Sequence, residues 1–77
     1  MPRSLPPDPA LAAALVRRRK ECGLSQEAVA FRAGLSTGAI ARIELGMASP
    51  SWVTVREIAK ALEVTMADLG REAERPS

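Results

Sequence analysis

The stretch GLSQEAVAFRAGLSTGAIARIELG, residues 23–46, decides the fold that this chain adopts. Ser25 and Ser36 stand where a hydroxyl caps the start of a helix, and Gly34 and Gly46 stand where glycine ends one. Apolar residues recur three or four positions apart within each segment, which indicates helices with one buried face. The sequence therefore predicts two short helices, each about nine residues long, joined by a tight turn at Gly34.

Two helices of this length, joined by a glycine-containing turn, form a helix-turn-helix unit. The unit needs a small residue where the helices meet, which Ala30 supplies, and a residue that tolerates positive φ in the turn, which Gly34 supplies. Ile40 and Ile43 anchor the second helix by apolar contacts. The residues left on its outward face are Thr37, Gly38, Ala41 and Arg42.

Three further helices flank the unit. Asp8-Pro9 begins the first, at residues 9–22, because aspartate caps a helix and proline suits its first position. Ser51 caps a fourth helix, which runs through Leu62, and Thr65 with Asp68 forms a capping box for a short fifth helix ending near Gly70. We therefore predict an all-α fold of five short helices. The predicted organisation is a disordered arm at residues 1–8, the helical domain at 9–70 and a polar tail at 71–77.

Composition excludes several classes of function. The 77 residues include no histidine and one cysteine, which removes histidine-based catalysis and an internal disulfide, and no apolar run approaches the length of a membrane span. We therefore expect no enzyme, metal site, cofactor or membrane partner, and a cytoplasmic location. The formal net charge is +2, but residues 1–22 carry five Lys/Arg and two Asp/Glu, a local charge of +3 that suits a polyanionic partner.

Residues 9–70 resemble the phage-repressor/Cro type of helix-turn-helix domain, the XRE family. The matching residues are Gly23-Leu24-Ser25-Gln26, Ala30, Gly34-Leu35-Ser36, Ile40, Ile43-Glu44, Gly46, Pro50-Ser51 and Ile58-Ala59-Lys60-Ala61-Leu62. The resemblance implies a lambda-repressor-like fold and a sequence-specific DNA-binding transcriptional regulator of the small repressor or controller type. It implies that the third helix, at about residues 36–45, reads double-stranded DNA in the major groove.

The same resemblance implies roles for individual side chains. Gln26 would contact a phosphate and buttress the third helix, and Ser36 would combine capping with a phosphate contact. Residues matching base-reading positions are Thr37, Gly38, Ala39 and Arg42. Gly38 and Ala39 are small, so direct readout depends on Arg42, whose guanidinium matches guanine O6 and N7. Each assignment has a simpler alternative: Gln26 is a surface side chain, Ser36 only caps its helix, and Arg42 is solvated or binds only phosphate.

A second set of residues is assigned to structure. The resemblance implies a partly buried ion pair between Arg19 and Glu44 that sets the angle of the third helix. Successive residues turn by about 100° around a helix, so Arg17, Arg18 and Lys20 spread over the surface. Cys22 falls on the inward stripe and is expected to pack in the core.

The last expectation concerns partners. A homodimer is predicted, joined through Val64, Met66 and Leu69, because these residues offer more apolar surface than one short terminal helix hides. The alternative is that the same residues fold back on the first helix in a monomer. Trp52 is placed either at the core edge or in a subunit interface, and Phe31 could cover an arginine stem, join a protein partner or lie near the DNA backbone. The alternative function is a protein-interaction module on the same fold, such as an antitoxin or a coactivator.

Overall fold

The computed structural model describes residues 8–75, in which five α-helices and no strand are found. The helices are α1 (Pro9–Glu21), α2 (Gln26–Ala33), α3 (Thr37–Glu44), α4 (Trp52–Ala61) and α5 (Met66–Glu74). The predicted all-α class and the order of five short helices are confirmed. Most of the predicted arm, residues 1–7, and the last two residues of the predicted tail lie outside the described range.

Every helix begins at the capping residue that the sequence indicates. The side chain of Asp8 accepts hydrogen bonds at the start of α1, and those of Ser25, Ser36, Ser51 and Thr65 do so for the other four helices. Each such cap is worth about 1 kcal/mol to the helix that it starts. The cap at Ser36 fixes where α3 begins, and therefore which of its residues face outward.

The turn between α2 and α3 depends on a left-handed residue. Gly34 has φ of 72° and ends α2, and its backbone N–H donates to the carbonyl oxygens of Ala30 and Phe31. A residue with a Cβ atom is strained at this φ, so glycine is favoured here. The next helix then begins only three residues later, which gives the tight connection of a helix-turn-helix unit.

The core is aliphatic and is shared by all five helices. α2 packs on both α3 and α4, and α1 packs on α5 and on α3. Each helix contributes at least one residue that is less than 10% exposed, for example Leu15, Val29, Ile40, Ile58 and Leu69. Because Ile40 and Ile43 hold the inward face of α3, the opposite face of that helix is left to solvent.

The fifth helix is longer than predicted. It continues past Gly70 to Glu74, so residues 71–74 belong to the helical domain and not to a polar tail. Gly70 weakens a helix by about 1 kcal/mol but does not end it. Two tertiary contacts offset that loss, since Leu69 is buried in the core and Glu72 is paired with α1.

The partner of Glu72 is Arg17, which was predicted to be solvated. Arg17 Nε donates to a carboxylate oxygen of Glu72, and its Nη2 donates to the backbone oxygen of Glu72 at 2.8 Å. The Glu72 side chain is 8% exposed and also accepts from Arg75. This pair fastens α5 to α1, and the hydrogen bond from Arg17 is the main cause that lowers the pKa of Glu72.

This lowered pKa predicts a loss of stability in acid. A carboxylate whose pKa is depressed on folding contributes its full stabilisation above its unfolded pKa of about 4.3, and loses it as the pH falls through the folded value. We expect Glu72→Gln to melt at a lower temperature than the wild type at pH 7, and the difference to shrink below about pH 4.3. Thermal melts across this range measure it. Glu74→Gln, on the exposed side of the same helix, is the control; a Glu72→Gln difference that stays constant with pH would contradict the assignment.

Leu69, which was assigned to a dimer interface, belongs to the core of the single chain. It is 2% exposed and packs in the core of a single chain, while Val64 and Met66 are half-buried against the same core. The apolar side of α5 packs on α1, which is the alternative that the sequence left open for these residues. Part of this side of α5 nevertheless remains accessible, because Met66 borders an open groove between α1, α4 and α5.

Cys22 does not occupy the inward position that the sequence pattern predicts. It caps the C-terminal end of α1 and is exposed, with its Sγ 3.6 Å from the backbone oxygen of Leu62. The inward stripe of α1 ends with the helix, because the chain turns at Gly23, where φ is 71°. The prediction that Cys22 packs in the core is therefore wrong.

Candidate nucleic-acid interface

A buried ion pair connects α1 to α3 at the base of the candidate interface. Arg19 Nε donates to Glu44 Oε2 at 2.7 Å, and Arg19 Nη2 donates to Glu44 Oε1 at 3.0 Å. The two side chains are 14% and 7% exposed, and the hydrogen bond to Glu44 raises the pKa of Arg19. Arg19 Nη1 also donates to the backbone oxygen of Leu24, at 2.9 Å, so the guanidinium joins α1, the following loop and α3.

Gln26 extends this network to the start of α2. Its Nε2 donates to Glu44 Oε1 at 2.9 Å, so Glu44 accepts from both Arg19 and Gln26. The amide carries a second N–H donor, which this bond does not use. Gln26 therefore buttresses α3 through Glu44, and it lies at the first position of α2, where a helix favours anions.

The predicted base-reading residues fall into two groups. Thr37, Gly38 and Arg42 are exposed on the outward face of α3, and Ser36 caps the helix by accepting from the Ala39 N–H at 3.1 Å. Ala39 is half-buried and lies about 60° around the helix from Arg42, toward the inward face. The structure thus brings Ser36, Thr37, Gly38 and Arg42 to one surface and leaves Ala39 at its margin.

The Arg42 side chain lies over Gly38. A Cβ atom built at Gly38 would be 3.6 Å from Arg42 Nη1, so the guanidinium lies back across the first turn of α3. Residues four apart are neighbours on a helix, which explains the contact. Arg42 is therefore presented over the N-terminal half of α3, the end that carries the capping serine.

An exposed leucine on this surface was missed by the sequence analysis. Leu45, the C-cap of α3, is 71% exposed, and its position follows Thr37 and Ala41 at intervals of four residues. That spacing was visible in the sequence and could have identified it. The outward face of α3 therefore carries apolar surface as well as Arg42.

A second apolar surface lies at the start of α4. Trp52 is 68% exposed and Val53 is also exposed. Trp52 borders an open groove of about 430 Å³, whose lining includes Leu11, Pro50, Val55, Met66 and Ala73. This groove, between α1, α4 and α5, is separate from the outward face of α3. On α2, Phe31 is 87% exposed and belongs to neither surface.

Residues 8–75 contain neither a cluster of metal-binding side chains nor a helix suited to cross a membrane. No group of three or more histidine, cysteine, aspartate or glutamate residues in that range is arranged to hold a metal ion. None of the five helices there combines the length and the apolar character that a membrane crossing needs.

Comparison with known proteins gives consistent matches over most of the chain. A family model described as helix-turn-helix matches residues 15–69. The uncharacterized HTH-type transcriptional regulator y4dJ of Sinorhizobium fredii is 40% identical over 53 residues, which is 69% of each chain. The crystal structure of the clp gene regulator ClgR from Corynebacterium glutamicum has a TM-score of 0.82 and 29% identity, over 94% of this chain and 76% of that one. The restriction-modification controller protein C.AhdI from Aeromonas hydrophila has a TM-score of 0.77 and 31% identity, over 79% and 92%.

Proposed function

Because this chain belongs to the helix-turn-helix family of DNA-binding transcriptional regulators, we propose that it binds a two-part operator as a homodimer, with α3 of each copy in the major groove. The observation that carries this proposal is the outward face of α3. It presents Arg42 on a helix whose angle is held by the Arg19–Glu44 pair. The proposed action is that of a small repressor or controller, through occupancy of DNA and without catalysis or a cofactor.

Phosphate contacts are proposed at the starts of α2 and α3. The first backbone N–H groups of a helix point outward and favour an anion. α2 begins at Gln26, whose side chain contacts Glu44 of α3, and α3 begins next to Ser36. The free N–H of Gln26 and the hydroxyl of Ser36 add donors at these two points. Such contacts fix the position of the protein on the duplex and leave the choice of sequence to α3.

The base-reading role is assigned first to Arg42. It is exposed, and its guanidinium can donate two parallel hydrogen bonds to guanine O6 and N7. Thr37 and Gly38 lie beside it and permit close approach of the helix to the base edges. Ala39, which is half-buried, contributes at most shape to this readout.

A second copy of the chain is the proposed occupant of the groove at α4. One recognition helix reads only a few base pairs, so specificity requires two half-sites, about 34 Å apart for a symmetric dimer. A two-fold contact uses the same patch on both copies. The patch at α4 contains both an exposed indole, that of Trp52, and an apolar groove beside it. The indole of one copy can therefore enter the groove of the other, and the reverse.

Trp52→Asp is expected to convert the dimer to a monomer without unfolding it. Trp52 is the first residue of α4, where an acidic side chain is compatible with the helix dipole, so only the pairing surface is lost. Sedimentation equilibrium at tens of micromolar and far-UV circular dichroism measure both effects. Phe31→Asp is the matched control, since it removes an exposed aromatic residue outside the groove. A monomeric wild type, or dissociation by Phe31→Asp alone, would contradict the proposed interface; Leu69→Asp is unsuitable because Leu69 is in the core.

Selection of binding sites from random DNA duplexes tests the proposed function as a whole. We expect a pseudo-palindromic site and an affinity that falls steeply with salt, because each neutralised phosphate releases counterions. Failure to bind DNA at low salt would instead favour a protein-interaction module, such as an antitoxin or a coactivator. The feature that favours this second candidate is the exposed Phe31 on α2.

The cytoplasm is the proposed location. A regulator that acts by binding DNA needs access to the compartment that holds it. The single, exposed Cys22 thiol is compatible with a reducing compartment. Fractionation of cells that express the chain at native level would test this placement.

A further inference from the structure

The outward face of α3 consists of two adjacent rows of different chemistry. One row holds Gly38 and Arg42, the other Thr37, Ala41 and Leu45, and neighbours in each row are four positions apart. Helix geometry places the rows about 60–100° apart, so both can face the same groove. In the second row Ala41 is half-buried between the exposed Thr37 and Leu45, and the only side-chain polar group is the Thr37 hydroxyl. A hydrogen-bonding readout by Arg42 alone leaves it without a role.

The exposure of Leu45 is the second feature that needs a partner. It is 71% exposed, yet it extends the row that begins at the N-terminal end of α3. An eight-residue separation spans about 12 Å along a helix, which is comparable to about 3.5 base-pair steps along DNA. The row is therefore long enough to contact several consecutive bases when α3 lies in the major groove.

Among the bases, thymine presents an apolar group to the major groove. Its C5 methyl is read by contact with apolar groups, such as an alanine side chain or the methyl of threonine, while guanine is read by arginine. The two rows of α3 match these two chemistries side by side. Neither row resembles the glutamine or asparagine amides that read adenine in pairs of hydrogen bonds.

We propose that each half-site contains a guanine read by Arg42 next to one or more thymines, whose C5 methyl groups pack against Ala41 and Leu45. This inference rests on the proposed function, and it names the chemical class of DNA sequence that the same surface selects. Leu45 becomes a specificity-determining residue, and its exposed surface is covered only when operator DNA is bound.

The test replaces thymine by deoxyuridine in the selected operator, one position at a time, which removes a methyl group and leaves base pairing unchanged. Burying one methyl group changes Kd by about fourfold, so we expect a loss of that size at the thymines beside the guanine. Leu45→Ala should bind the thymine operator more weakly, and its Kd should no longer change with deoxyuridine at the position that Leu45 covers. Met47→Ala is the matched control, since Met47 is exposed near Leu45 but lies beyond the end of α3.

Replacement of the guanine by 7-deazaguanine tests the neighbouring row. It removes the N7 acceptor, so it should weaken binding by the wild type and have no further effect on Arg42→Ala. Both measurements are fluorescence anisotropy titrations at one fixed salt concentration, because affinity for DNA depends on salt.

The outcomes separate this inference from the function on which it rests. If no sequence is selected from random duplexes, the proposed function fails and this inference with it. If a site is selected but has no thymine beside the guanine, or deoxyuridine leaves wild-type binding unchanged, the function stands and this inference is overturned. If deoxyuridine weakens binding of Leu45→Ala by the same factor as binding of the wild type, and the variant sediments as a monomer, Leu45 serves a protein contact. That result also overturns the inference.

Discussion

Arg42→Ala is expected to abolish site-specific DNA binding while the unfolding free energy of the protein stays unchanged. Arg42 is exposed on α3 and lies over Gly38, so its removal opens no cavity in the core. A bidentate arginine–guanine contact is worth about 1–3 kcal/mol of discrimination, and a dimer loses two of them, about 2–6 kcal/mol. Since 1.4 kcal/mol is a factor of ten in Kd, the preference for the operator falls by at least about an order of magnitude.

Two further variants separate base reading from charge in this experiment. Arg42→Lys keeps the positive charge but not the planar pair of donors, so it should retain binding to random DNA and lose preference for the operator. Arg71→Ala removes one positive charge from α5, far along the chain from α3, and should keep that preference. Competition titrations of operator against random duplex measure each ratio. An Arg42→Ala protein with wild-type site preference would contradict the assignment.

Glu44→Ala is expected to cause the largest loss of stability of any single change in the interface. It leaves the guanidinium of Arg19, 14% exposed, and the amide of Gln26 without the acceptor that both now share. Removing one partner of a buried pair costs about 3–5 kcal/mol, and the partial exposure of Arg19 places the expected loss near the lower end. For a domain of this size, that loss lowers Tm by more than about 10 °C.

A double-mutant cycle tests whether this loss comes from direct contact. Arg19→Ala should destabilise by a similar amount, and the double variant by less than the sum of the two. The control is Glu57→Ala, which breaks an exposed pair with Lys60 and should cost less than about 1 kcal/mol. Thermal and denaturant melts supply the free energies. Additive effects of Glu44→Ala and Arg19→Ala would show that the two side chains act independently.

The two experiments also connect stability to recognition. Glu44 lies at the C-terminal end of α3 and is held by side chains from α1 and α2. A small shift of this end changes the orientation of the exposed face of α3 relative to the start of α2. We therefore expect folded variants at Glu44, such as Glu44→Gln, to lose operator affinity more than affinity for random DNA.

The position and order of the five helices could be predicted from the sequence alone. Capping residues such as Ser25 and Ser36, and the left-handed Gly34, act on backbone groups within three or four positions, so their effect is local and visible in the chain itself. The same periodicity separates the inward Ile40 from the outward Arg42. The pairing of Arg19 with Glu44 came from the family resemblance, and not from any local signal.

Only the tertiary structure decided which exposed and buried groups meet across the chain. Arg17 and Glu72 are 55 residues apart, and nothing local marks Arg17 as different from its arginine neighbours. The packing of α1 against α5 buries Leu69, whereas Trp52 and Leu45 stay exposed. A helical pattern shows that one face is apolar, but not which surface covers it, because that depends on the packing of segments distant in sequence.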